Sequence, residues 1–135
     1  MIDPRELVAK RNCGSVRYAV ISDYSGDMNQ VLAKFGLNAD RALLVEHNRA
    51  GALDILASLL HRDMAYESEL MPEQSARGIA EAVLHPQRAD ATYFSNGNWA
   101  KRESWNPLTS STFDAGIIVR EGESVYVCIW FQDED

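Results

Sequence analysis

Asp23, Asp27 and Asp114 are the carboxylates whose sequence surroundings most invite chemistry. Asp23 follows an apolar run, Val16 to Ser22, where a strand end could present it to a ligand. Carboxylates gathered there would suit a hard cation such as Mg²⁺, or acid–base work. Their spacing matches no phosphoryl-transfer motif. Asp27 stands three residues before Gln30, a helix-capping spacing, and Asp114 has Arg17 and Arg120 as possible ion-pair partners. His47, His61 and His85 show no HxH or HExxH spacing. Cys13 and Cys128 lie at opposite ends of the chain, so neither a zinc site nor a disulfide framework is indicated. GxGxxG, Walker and GxSxG sequences are all absent. The expectation is therefore no cofactor and no metal, with binding favoured over catalysis.

The segment Trp105 to Thr112 carries four consecutive hydroxyl residues, Thr109 to Thr112. A phosphate cradle would want glycines and a lysine within it, and it has neither. Trp99, Lys101 and Arg102 are close in sequence, so Trp99, Trp105, Asn106 and these bases suggest a small recognition pocket.

Charge gives a different lead. The chain has 20 acids against 13 bases, a formal charge of -7. That balance disfavours nucleic acid and anionic membranes, which both want surplus Lys and Arg. It suits a basic protein partner. Asp63, Glu67, Glu69 and Glu73 follow one another with no base between them, and Asp133-Glu134-Asp135 forms an acidic tail behind Trp130. Solvated loops also carry such runs. Acids beside aromatics nevertheless resemble an interface, where charge speeds encounter and Trp or Tyr supplies affinity. The partner-binding residues expected on this basis are Glu67, Glu69, Glu73, Trp99, Trp105, Tyr126, Trp130, Asp133, Glu134 and Asp135.

The elements that must position these residues read as one α+β domain over residues 1–135. Hydrophobic residues make up 46% of the chain and charged residues 24%, values that exclude a disordered class. Asp3-Pro4 opens a first helix. Val16–Ser22 reads as a strand. Asp27 and Gln30 open a helix over 28–35, and Gly36-Leu37 closes it. Residues 38–48 are ambiguous between strand and helix, with Asn38 as a cap tipping the choice to helix. Leu53, Leu56, Leu60 and Met64 stripe a helix over 50–64, with Asp54, Ser58, Arg62 and Asp63 opposite. Another runs from Pro72 to His85, stopped by Pro86.

The C-terminal third reads as two hairpins. Asn96-Gly97 predicts a two-residue turn that sets Phe94 opposite Trp99. Phe113–Val119 and Ser124–Phe131 form the second, about Glu121-Gly122. An N-terminal, mainly helical part thus packs on an antiparallel sheet made of two hairpins plus the strand 16–22. The last strand is apolar on both faces, so either both are covered or one carries Tyr126 and Trp130 to a partner. The N-terminus lacks a signal-peptide core, and no Asn-x-Ser/Thr sequon occurs, so the expected setting is cytoplasmic. The expected function is an acidic protein-binding module, such as an inhibitor or immunity-type protein against a basic toxin. The alternative is a small-ligand protein or a carboxylate- or metal-dependent enzyme.

Overall fold

Among the described residues five strands form one antiparallel sheet in the order β1-β5-β4-β3-β2. They are β1 Ser15–Ile21, β2 Val45–His47, β3 Ala91–Ser95, β4 Phe113–Glu121 and β5 Val125–Asp133. Among the described residues four α-helices accompany them: α1 Pro4–Ala9, α2 Met28–Lys34, α3 Arg49–His61 and α4 Glu73–Leu84. This computed structural model describes residues 3–24, 26–84 and 90–134. His85, Pro86 and Asp135 fall outside the described residues. Helices dominate the N-terminal part and strands the C-terminal part, an α+β fold. No helix among the described residues is long and apolar enough to cross a membrane.

Alternation along β4 and β5 explains why both are apolar throughout. Ala115, Ile117, Val119, Val127, Ile129 and Phe131 face a core built with α1, α3 and α4. Ile118, Tyr126, Cys128 and Trp130 face a second core, built with α2, Phe35, Leu37 and Leu108. Both faces are covered, and Tyr126 and Trp130 are buried inside the chain. This conformation keeps them from a partner.

The local signals set α2. Asp27 accepts from Gln30 N at 2.9 Å, and Gln30 Oε1 accepts from Asp27 N at 3.1 Å, a full capping box. Gly36 takes φ +76, which lets Leu37 N reach Leu32 O at 2.9 Å and Gly36 N reach Ala33 O at 3.0 Å. These two bonds are the Schellman closure of the helix.

Two expectations are corrected. Residues 38–48 hold no α-helix: Asp40 caps a 3-10 turn over Arg41–Leu43, and residues 45–47 become β2. The bare edge of β3 decides this, since Val45, Glu46 and His47 pair with Ser95, Phe94 and Tyr93. Asn96-Gly97 makes no two-residue hairpin either. A type I′ turn needs φ > 0 at both central residues, and Asn96 lacks it. The Asn96 side chain is buried instead, donating from Nδ2 to Asn106 O at 2.9 Å and to Asp114 O at 2.8 Å. Gly97 then bridges to Trp105, and Phe94 lies opposite Ile118, not Trp99. The fifth strand of the sheet is thus β2, where the sequence suggested the residues after Gly97.

Candidate functional site

Trp99, Trp105 and Phe113 meet at one corner of the molecule. Trp99 begins a 3-10 turn, Trp99–Lys101, whose cap Asn98 accepts from Lys101 N at 3.3 Å. Trp105 stands edge-on to Trp99, with ring centroids 5.8 Å apart at 68°. Phe113, the first residue of β4, lies 6.2 Å from Trp105 at 34°. Such offset pairs each contribute about 1 kcal/mol beyond area burial. Trp99 is only 6% exposed, whereas Trp105 and Phe113 are half-buried. An open cavity of about 440 Å³ is lined by these rings with Met64, Arg102 and Glu103.

Arg102 and Glu67 close one side of this corner. The guanidinium carbon of Arg102 lies 4.7 Å above the Trp99 ring, and its Nη2 is 3.2 Å from Glu67 Oε1. Both residues have left-handed backbones, at φ 55 and φ 57. For non-glycine residues each costs on the order of 1 kcal/mol, and such strain gathers at functional sites. Tyr66, beside Glu67, is 68% exposed.

The exposed Glu134 lies at the same end of β4 and β5, but alternation turns it to the α2 face, away from the three rings. Phe113 lies opposite Asp133, and the preceding Thr112 donates its hydroxyl and amide to Glu134 Oε2 at 2.6 Å and 3.2 Å. The hydroxyl bond, then the amide bond, holds the Glu134 carboxyl below its ordinary range.

Three of the expected partner residues therefore converge here: Glu67, Trp99 and Trp105. The others do not. Asp133 is buried, paired to Arg11 through Nη2 at 2.6 Å. Glu69 is exposed and continues the loop, bridged to Arg62. Glu73 starts α4 and lines a separate cleft of about 290 Å³ with Asp54, His61, Arg77 and Lys101. Asp135 is outside the described residues. Asp63, read from the sequence as exposed, is buried and accepts from Ser68 N at 2.6 Å. Phe113, Met64 and Tyr66 were not expected at this site. Phe113 arrives through sheet registry, which no local pattern in the sequence announces.

The carboxylate trio of the sequence is dispersed in role. Asp27 is a helix cap, and Asp23 is exposed at φ 56. Asp114 is fully buried, bonded neither to Arg17 nor to Arg120. Among the described residues no three His, Cys, Asp or Glu side chains gather as a metal site. The hydroxyl loop is engaged internally as well. Thr109 Oγ1 donates to Asp114 Oδ2 at 2.9 Å, and Ser111 Oγ accepts from Gln132 Nε2 at 2.8 Å. His61 Nδ1 is 2.8 Å from Met71 O and His47 Nε2 is 3.0 Å from Gly97 O. A carbonyl only accepts, so those two nitrogens carry the protons.

Comparison with protein-family models, curated proteins and solved structures finds no match. The corner must be judged on its own chemistry.

Both thiols are free. Burial pushes the Cys128 thiol up to about 12, with Arg17 opposing weakly. Its neutral form thus favours the folded state. That contribution is present below pH 9, the unfolded value, and is lost as pH rises from 9 to about 12. At mildly alkaline pH the native protein should leave Cys128 unmodified by a thiol reagent, with full reaction only on unfolding. Rapid native modification mapped to Cys128 would refute this.

Proposed function

We propose that this chain is a protein-binding module, of the inhibitor or immunity type, that captures a basic protein through its aromatic corner. One observation carries the reading: a stepped cluster, Trp99 under Trp105 and Phe113, left half-open beside Glu67 and Glu103. Buried aromatic anchors ringed by charge supply the energy and the on-rate of protein interfaces. Arg102, a cation lining this corner, is already paired to Glu67, which leaves Glu103 to meet an incoming base. Two free thiols suit the reducing cytoplasm. An acid surplus speaks against nucleic acid as the partner.

Small-ligand binding is the second reading, and it draws on the mixed-sign cleft at His61. There Asp54 and Arg77 already satisfy each other at 2.6 Å. That leaves less for a ligand than the aromatic corner offers a partner.

The test is to search the neighbouring genes for a basic protein and titrate it against this chain by calorimetry; no such protein, or no binding at low salt, sinks the reading. Binding should strengthen as salt is lowered. Trp105→Ala should weaken it by about 2 kcal/mol, roughly thirtyfold in Kd, without unfolding the chain. Glu73→Ala, in the separate cleft, should change little. Equal losses from Glu73→Ala and Trp105→Ala would move the site away from this corner.

A further inference from the structure

We propose that β1 is a self-association edge, and that two copies of this chain pair antiparallel through residues 15–21 to make one ten-stranded sheet. This is independent of the aromatic corner. β1 lies at the end of the sheet, with β5 on one side and no strand on the other. Among the described residues, no backbone bond from another segment covers its outer side. Half of its N–H and C=O groups therefore face outward as a row of donors and acceptors, and another strand is what satisfies such a row.

Natural sheets guard their edges with charge, proline, bulges or short strands. The opposite edge follows that rule, since β2 has only three residues and carries Glu46. β1 does not. It is seven residues long, contains no proline, and pairs with β5 from Ser15↔Gln132 to Ile21↔Tyr126 without a bulge. Its one charge, Arg17, is turned inward, donating to Phe35 O at 2.6 Å and Gln132 Oε1 at 3.2 Å. Val20 is 48% exposed on this long edge, as Val45 is 44% exposed on the three-residue one.

Charge selects a second copy as the occupant. A chain of net charge -7 repels its own kind over most of its surface. Residues 7–22 hold no Asp or Glu, the longest acid-free stretch of the sequence, and Arg5 over the Tyr18 ring offsets nearby Asp3 and Glu121, so this edge is where two copies can approach. Geometry then sets the register. Outward groups meet outward groups only when opposed residue numbers have the same parity. Centring the two-fold on Tyr18 satisfies this and uses all seven residues. Val20 then meets Val16 of the twin on one face, and Tyr18 meets Tyr18. Arg17 falls opposite Ala19, so no like charges oppose each other.

Sedimentation velocity over a concentration series tests the proposal. The chain should shift from monomer towards dimer with concentration, and added salt should not dissolve the dimer, unlike a charge-steered complex. Val20→Lys should weaken self-association about tenfold or more while leaving the monomer folded by circular dichroism. A second measurement reads the register and does not depend on that variant folding. Val16→Cys with Val20→Cys should form bridges between copies, mapped by mass spectrometry, while Val20→Cys alone should not. Within one chain these positions are about 13 Å apart, beyond disulfide reach. A chain that stays monomeric at every concentration overturns the proposal. So does a dimer indifferent to Val20→Lys, or equal cross-linking by Val20→Cys alone.

Discussion

Asp114→Ala is expected to lower the unfolding free energy by about 3 kcal/mol or more, a large share of a small domain's stability. Asp114 is fully buried in β4, facing the α2 side of the sheet. Its carboxylate accepts from Leu108 N at 3.0 Å, Thr109 N at 3.1 Å, Thr109 Oγ1 at 2.9 Å, Asn96 Nδ2 at 3.3 Å and Trp130 Nε1 at 3.1 Å. Alanine would leave these donors without an acceptor, several of them away from water. Each buried orphan costs about 1–3 kcal/mol, although the loop amides of Leu108 and Thr109 can recover water as the loop loosens. Asp114→Asn should cost less than alanine but more than a surface change, because its amide keeps one oxygen and turns an NH₂ towards donors. Urea unfolding followed by Trp fluorescence reads both, with the midpoint falling in the order wild type, Asn, Ala. An Asp114→Ala protein as stable as wild type would show that the carboxylate does not organise this loop.

Asp114 also shows what a sequence can and cannot disclose. Its type and strand position were legible, and both fit a ligand site as well as they fit a structural hub. Only registry reveals the difference, by setting Trp130 Nε1 and the 105–112 loop against it. Signals that close over a few residues translated directly. Asp27 with Gln30, and Gly36 with Leu37, form the expected cap and stop because donor and acceptor lie within one turn. Asn96-Gly97 is just as local, yet tertiary demand overrode it when the Asn96 side chain was drawn onto the backbone of Asn106 and Asp114. β2 had the same fate, since a three-residue strand is specified by its neighbour rather than by itself. The aromatic corner was half visible. Trp99, Trp105 and Arg102 were close enough in sequence to suggest a pocket, but Phe113 and Glu67 come to it through the sheet and the α3–α4 loop.

The acidic tail divides along the same line, and its division yields the second large effect. Glu134 is exposed and bonded to Thr112, whereas Asp133 points inward and forms the buried pair with Arg11. Arg11 donates from Nη1 and Nη2 to the two oxygens of Asp133 at 2.7 Å and 2.6 Å, and from Nε to Leu59 O at 2.6 Å. Asp133 Oδ2 also accepts from Met64 N at 2.8 Å. The pair thereby ties the chain after α1, the end of α3 and the end of β5 at one point. Removing either partner leaves a charge buried without its counterpart, and such losses run to about 3–5 kcal/mol. Asp133→Ala and Arg11→Met should each fall in that range. The double variant Arg11→Met with Asp133→Leu should lose clearly less than the sum, because no charge stays behind and apolar groups fill the space beside Phe131. Its residual loss comes from Leu59 O, Cys13 O and Met64 N, which the guanidinium and carboxylate had satisfied. Denaturation of the four proteins gives the coupling directly, and strict additivity would refute the pair as a unit. The same set also separates stability from recognition. If Asp133 acts only inside the fold, the double variant, once folded, binds a basic partner as well as the wild type does, while Trp105→Ala, which leaves the buried pair intact, weakens binding.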